Sequence, residues 1–457
     1  MATEIMREHR EYAAKKRMWR MYRHLYAGGE ELRANAAEYL IPRQREPRDV
    51  YQERLNRVFY ENYAGSIIDW YAATLFRREP ILSFEGENQR SKDFFAEFTE
   101  DCDLKGTALS DFFRKRFTET LIYGSSFVLI DFPRHKGWAG SRAEEDALGF
   151  SRAYLVGYTP EDIVNWERNS RGSLEWVVVR LKEPGLGEED RHGYWVRYDR
   201  EEFVLYRSDG KREEVLDRGA HAMAQFGRTP LVEMTVPEGL WLMNKAALLQ
   251  LEHFNKSNAL SWALTMGLFA MPVVYTDREW EQMVGESYYI QLGQGDRFGW
   301  TEPEGKVYQI AAENLERLKD EIYRVCYLLT QAGGPMAGGA AQSGLSKQRD
   351  YAITQEILRA YGDGVKDAIR RVLRAVNEAR GDGLTIGVAG MDEFDIGEFS
   401  SELSDAERLL KLGIESPTLK KQILKRLASK YLCDVRQDIK DRIAGEIEQW
   451  VDGERKP

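Results

Sequence analysis

The chain has 457 residues, longer than one ordinary domain, so two or more sub-domains are expected. Hydrophobic residues at 43% supply a core, while charged residues at 31% and a mean hydropathy of -0.54 point to a soluble protein. A net charge of -10 excludes a broad basic outer face for gripping nucleic acid, though not an acidic passage through which nucleic acid slides.

Thr3 to Tyr26 is predicted as a basic amphipathic helix carrying Met18, Trp19, Met21, Tyr22 and Leu25, stopped by Gly28-Gly29. Met1 to His9 lacks the apolar run of a signal peptide. A shorter helix follows over Glu30 to Leu40, ended by Pro42. Tyr51 to Phe76 is expected as one helix, with Leu55, Val58, Phe59, Ile67, Ile68, Tyr71 and Leu75 as candidate buried positions. Ile81 to Phe84 is extended, and Lys92 to Asp101 and Thr107 to Tyr123 are helical. Gly124 switches the period, and Ser125 to Phe132 is a strand. Lys136 to Gly149 is a polar insertion. Further strands are expected at Tyr154 to Tyr158, Trp176 to Leu181, Tyr194 to Tyr198 and Phe203 to Tyr206, followed by a turn at Ser208 to Lys211.

Leu242 opens a helix that continues toward Met266, followed by extended Pro272 to Tyr275. A second helix runs from about Glu313 to Gln331. Gly333 to Gly344 is rich in glycine and alanine, and a third helix starts at Ser346 and continues over Tyr351 to Arg380, with Gly362 and Gly364 as candidate bends. A loop of such small residues buries little and orders at high entropic cost, so it has no place in a core. Ser404 to Leu412, Ser416 to Leu432 and Val435 to Val451 form a terminal helical set, the second opened by Pro417 at its first position.

Chemical signatures are sparse. Gly339-Ala-Ala-Gln-Ser-Gly344-Leu-Ser346 approaches a phosphate-binding loop, but Leu345 stands where the lysine belongs and the segment follows a helix rather than a strand. His9, His24, His135, His192, His221 and His253 are scattered without metal-ligand spacing, and His253 is placed on the charged face of its helix. Cys102, Cys326 and Cys433 form neither a disulfide framework nor a zinc pattern, which suits a reducing compartment. No carboxylate pair suggests acid-base work, and Ser125 and Ser126 sit at a helix-to-strand step, the reverse of a nucleophile elbow. Tyr51, Phe59, Tyr60, Tyr63, Trp70 and Tyr71 at helical spacing fit core and interface better than a base-stacking platform. No cofactor, metal ligand or catalytic residue is assigned.

The order of these elements and several local strings resemble the portal proteins of tailed bacteriophages. The strings are Gly28-Gly-Glu-Glu-Leu-Arg33, Tyr39-Leu-Ile-Pro-Arg43 with Glu46, Tyr51-Gln-Glu-Arg-Leu55 with Asn62, and Leu75-Phe-Arg-Arg-Glu-Pro80. Tyr123-Gly-Ser-Ser-Phe-Val-Leu-Ile130 and Asp395 to Gly413 followed by Ser416-Pro-Thr-Leu-Lys420 continue the likeness. The resemblance implies an α+β, mainly helical portal fold in a closed homo-oligomeric ring, usually a dodecamer. It implies a wing from residues 1–241 plus a long helix over 346–381, and a stem of two helices, 242–271 and 312–332. A clip at 272–311, a tunnel loop at 333–345 and a helical crown at 382–457 complete it.

On that mapping Leu260, Leu264 and Leu268 pack between stem helices, while Glu252, His253 and Lys256 face water or a neighbour. Gly334, Met336, Gly339 and Gln342 line the channel, with Lys347 and Arg349 near passing phosphates. Asp277 to Ser287 is the clip helix, and Trp280, Tyr288 and Arg297 are the docking candidates. The implied partners are further copies of the chain, the large terminase, a head-tail adaptor, the major capsid protein and scaffold, and double-stranded DNA passing without sequence reading. The implied location is one vertex of the virion, after assembly in the host cytoplasm, with no membrane. Two other classes remain open: a membrane-associated assembly protein using the uncharged Ser257 to Thr276 as a span, and a nucleotide-dependent enzyme using Gly339 to Ser346.

Overall fold

The computed structural model describes residues 4–133, 149, 151–181, 193–267, 271–277, 292–301, 305–328, 344–391, 406–411, 416–431 and 437–453. The protein is mixed α/β. Helix α1 (Arg10–Ala27) starts where the His9 ring accepts from the Glu11 amide, and it stops at Gly28, whose φ is +58°. Its buried residues Tyr12, Trp19 and Tyr22 face the body, and Trp19 Nε1 donates to the Tyr123 carbonyl at 3.1 Å. That carbonyl ends helix α6 (Leu109–Tyr123). Gly124 follows in the left-handed region at φ +90°, with the Trp241 ring 3.0 Å from where a Cβ would sit. Glycine therefore serves here both for its backbone conformation and for close packing. It turns the chain into strand β2 (Ser125–Asp131), which is buried almost throughout.

The helix expected over Tyr51 to Phe76 is two helices. Between α2 (Gly29–Ala34) and β1 (Ile81–Glu85) lie α3 (Arg48–Asn56) and α4 (Tyr63–Leu75), separated by an irregular crossing. No proline or glycine marks that break. Tertiary bonds hold it: the Tyr60 hydroxyl donates to the Leu25 carbonyl at 2.8 Å, and the Phe59 amide and carbonyl both bond Asn258. Local periodicity loses to partners far along the chain. The segment Glu30 to Leu40 likewise shortens to α2 plus one 3-10 turn at Ala36–Glu38.

After α5 (Gln89–Glu100), α6 and β2, the chain builds two antiparallel sheets. One has three strands in the order β3 (Tyr154–Tyr158), β2, β9 (Leu231–Thr235). The other is a five-stranded meander of β4 (Ile163–Arg168), β5 (Leu174–Leu181), β6 (Gly193–Tyr198), β7 (Glu202–Ser208) and β8 (Glu213–Ala220). Phe127, Leu129, Ile163, Val177, Val179, Val196, Tyr198 and Phe203 form the small core between the sheets. β4, β8 and β9 were not anticipated. β8 is an edge strand, exposed on both faces and bulged opposite Leu205 and Tyr206, so it shows no alternation to read.

Helix α7 (Leu242–Gly267) leads to the hairpin of β10 (Met271–Tyr275) and β11 (Arg297–Thr301), then to α8 (Gly305–Val325). α8 begins eight residues before the predicted Glu313, because Val307, Ile310, Leu315, Leu318 and Ile322 extend one helical stripe backward. It ends in a turn at Tyr327, which has φ +62°. α9 (Gly344–Arg380) runs unbroken past Gly362 and Gly364, so no break occurs there. Gly362 instead lets the Met391 carbonyl approach, at 2.3 Å from a would-be Cβ. β12 (Thr385–Ala389) then pairs antiparallel with β1, a strand hidden in a stretch expected to be helical. Helices at Pro417–Tyr431 and Gln437–Gly453 close the described chain. The main core gathers α1, α4, α6, the first half of α7 and the buried face of α9, with Tyr71 and Tyr361 packed edge to face at 5.7 Å.

Candidate functional site

The first half of α7 is buried in the body. Leu242, Met243, Ala246, Ala247, Gln250, His253, Phe254, Ser257 and Asn258 are all covered. Three of its side-chain amides splint the irregular N-terminal crossings. Gln250 accepts from the Ala64 amide at 3.1 Å and donates to the Glu61 carbonyl at 2.8 Å. Asn255 accepts from the Ile41 amide at 2.8 Å and donates to the Tyr39 carbonyl at 3.0 Å. Asn258 accepts from the Phe59 amide at 3.1 Å and donates to its carbonyl at 3.0 Å. Each amide offers one acceptor and one donor to backbone of the irregular crossings or, for the Ala64 amide, of the first turn of α4, where no intrahelical acceptor exists. Sequence reasoning missed this set. Its one visible signal is the polar Gln250 following the apolar positions Leu242, Met243, Ala246 and Ala247 on the same helix.

α8 lies antiparallel along α7. Lys245 meets Tyr327, Lys256 Nζ donates to Asn314 at 2.9 Å, and the Tyr308 hydroxyl donates to the Ala263 carbonyl at 3.4 Å, so partner numbers fall as α7 numbers rise. The pair leaves the body as it goes. Beyond Asn258 no described side chain of α7 is buried, and within α8 Ile322 is the buried one among those described.

One face of α7 records the change. Gln250, Phe254, Ser257, Ser261 and Leu264 follow a single three-and-four stripe. The first three are buried, and then Ser261 and Leu264 open to solvent, Leu264 at 43%. Val307 at 64% and Ile310 at 57% are exposed on the same outer part of the pair, and Tyr275 at 61% sits on the hairpin, paired with exposed Arg297.

Of the residues expected to pack between helices, Leu260 is half-buried and Leu264 exposed in the single chain. The side chain of Leu268 lies outside the described residues, as do Trp280, Tyr288 and the helix expected to Ser287. Gly334, Met336, Gly339 and Gln342 lie outside them too. Lys347 and Arg349 belong to the first turns of α9, which begins at Gly344, two residues before the expected start at Ser346; their side chains are not among those described. Glu252 and Lys256 face water as an ion pair at 2.9 Å.

His253 corrects an expectation. It is not on the wet face but buried beside the crossing, its Nε2 3.6 Å from the Glu61 carboxylate and its ring edge-on to Tyr63 at 5.1 Å. Its Nδ1 has no hydrogen-bond partner among the described residues. Burial lowers its pKa below the usual value, and Glu61 and Glu316 pull it partly back. His24 and His221 are buried as well, and burial lowers both. Cys102 and Cys326 are free thiols pushed up to about 12 by burial.

Among the described residues no cluster of three His, Cys, Asp or Glu side chains could hold a metal ion. No helix among them is long and apolar enough to cross a membrane. The segment 257–276 considered as a span divides between the end of α7 and strand β10, so it is not one helix. The described chain ahead of the glycine-rich stretch ends in α8 and the turn at Tyr327, with no strand between them.

No family model and no curated protein matches the chain. Solved structures do. A chain from the virion of a native gene transfer agent particle is 13% identical, with a TM-score of 0.45, covering 85% of this chain and 96% of its own. A chain from the neck of an empty gene transfer agent particle is also 13% identical, with a TM-score of 0.43, covering 83% and 94% respectively.

Proposed function

We propose that this chain is a portal subunit. Copies of it close into a ring at one capsid vertex, whose channel passes double-stranded DNA during packaging and ejection. The subunit carries out no chemistry of its own: the large terminase supplies the work, and the head-tail adaptor later takes the terminase's place. The capsid protein and scaffold hold the outer rim.

The observation that carries this proposal is the α7 stripe that is core at its root and open at its tip. A lone chain leaves Leu264, Val307 and Ile310 in water on one projecting helix pair. A neighbour set alongside covers them, and a heterologous contact repeated at a fixed rotation closes a ring. The amide splints suit that role, because they fix the direction in which the pair leaves the body. An acidic chain also suits a channel in which DNA slides, since dense phosphate contacts would grip it. Native mass measurement of the purified full chain tests the proposal: a discrete high-order oligomer is expected, and a monomer at every concentration up to roughly tens of micromolar would reject it.

A further inference from the structure

Among the described residues, two oppositely charged helix faces lack counter-charges. α1 exposes Arg10, Ala13, Ala14, Arg17 and Arg20 on the side away from buried Tyr12, Trp19 and Tyr22. Its other charges are already matched: Glu11 with Lys15 at 2.6 Å, Glu8 with Lys16 at 2.7 Å, and Arg23 with Glu161 at 3.0 Å. Arg10, Arg17 and Arg20 have no carboxylate partner among the described residues. α5 presents the converse. Asp93, Ala96, Glu97 and Glu100 are exposed on the side away from buried Phe95 and Phe98. Gln89 donates to Asp93 at 2.7 Å, but Glu97 and Glu100 have no basic partner among the described residues. They also stand at the negative end of the helix dipole, with no basic residue in the last turn, where a carboxylate is disfavoured.

Among the described residues the two faces form no ion pair with each other. α1 packs on α2, α4, α6, α7 and β4, while α5 packs on α6 and β1, and both charged faces point outward from those contacts. Their patterns match between chains. Arg17 and Arg20 are one helical step of three apart, as are Glu97 and Glu100, a rise of about 4.5 Å in each case. The alanines beside them let the two helices approach closely.

We infer that the Arg10, Arg17 and Arg20 face of one copy docks on the Asp93, Glu97 and Glu100 face of the next copy. This contact rests on the ring proposal and supplies it with a specific body-to-body interface, separate from the projecting helices. It is heterologous, because one patch meets a different patch, so it repeats around a ring. A polyanion such as duplex DNA is the poorer occupant of the arginine face, because the chain as a whole repels it at a net charge of -10.

The test uses the full-length chain in sedimentation velocity at low and high salt. Variants are Arg17→Glu with Arg20→Glu, Glu97→Arg with Glu100→Arg, and the four changes combined. Arg17→Gln with Arg20→Gln serves as a milder pair should the reversal disturb folding, and matched melting curves confirm that each variant folds. Each reversal is expected to raise the concentration for half-assembly at least about tenfold, and the combined swap to return it to within about threefold of wild type. High salt should weaken wild-type assembly and narrow these differences. Reversals that assemble like wild type, or a combined swap that rescues nothing, overturn the contact while leaving the ring proposal standing. An arginine variant that assembles normally but loses binding to a duplex DNA probe assigns the face to nucleic acid and also overturns it. A wild-type chain that never assembles rejects the ring proposal itself, and the contact with it.

Discussion

Replacing Gln250 with Met keeps side-chain length while deleting two hydrogen bonds at the root of α7. The Ala64 amide loses its partner, whereas the Glu61 carbonyl keeps the Tyr63 amide at 3.1 Å. Gln250 is fully buried, so water cannot replace what is lost. An orphaned buried amide costs roughly 1–3 kcal/mol and the second lost bond about 1 kcal/mol, so the change should cost roughly 2–4 kcal/mol. If the crossing exchanges by local opening, its amides should exchange roughly 30- to 1,000-fold faster, since each 1.4 kcal/mol is about tenfold. Hydrogen exchange read by mass spectrometry on peptides spanning Arg57 to Ser66 measures this. Leu248→Gln, at a position 72% exposed on the opposite face, should leave those peptides unchanged. Protection within about threefold of wild type in the Gln250 variant would refute the splint.

Leu264→Asp should leave the monomer's melting temperature nearly unchanged, because the side chain is 43% exposed and surface changes cost under about 0.5 kcal/mol. It should nevertheless abolish assembly by burying an unpaired carboxylate between neighbours, so normal oligomers from this variant would sink the packing assignment. Stability should also fall as pH drops through about 6.5, the ordinary histidine value. His24, His221 and His253 all have folded values below it, so the unfolded chain binds more protons there, and the loss should level off only below the folded values. A urea midpoint that does not move between about pH 7.5 and 5.5 would contradict this, and His253→Asn should reduce the shift. Cys102 and Cys326 should resist alkylation at neutral pH until the protein is denatured, since burial keeps both thiols protonated; rapid labelling of either in the native chain would show that the core is open.

Much of the architecture was legible where pattern is local. α1, α6, β2 and β5 to β7 announce themselves by period, and Gly28 and Gly124 by their turns. What escaped depends on distant partners. The break between α3 and α4 has no breaker residue, because Asn258, almost two hundred positions along the chain, supplies its backbone bonds. His253 sits between exposed Glu252 and buried Phe254, and one residue's rotation decides whether it faces solvent or Tyr63. β12 escaped because five residues flanked by glycines look like a helix terminus until β1 is brought beside them. At the candidate site, the leucine spacing of α7 was readable, but the point at which its buried face opens to solvent was not. That point is set by where the N-terminal crossings end, which is a property of the assembled body.

Whether the projecting helix pairs close into a ring is read from electron-microscope class averages of the purified full chain viewed down the particle axis. A rotationally symmetric ring with a central hole is expected, and Leu264→Asp particles prepared in the same way should be reduced to single subunits. Wild-type averages showing isolated compact particles, or open filaments without closure, would contradict it.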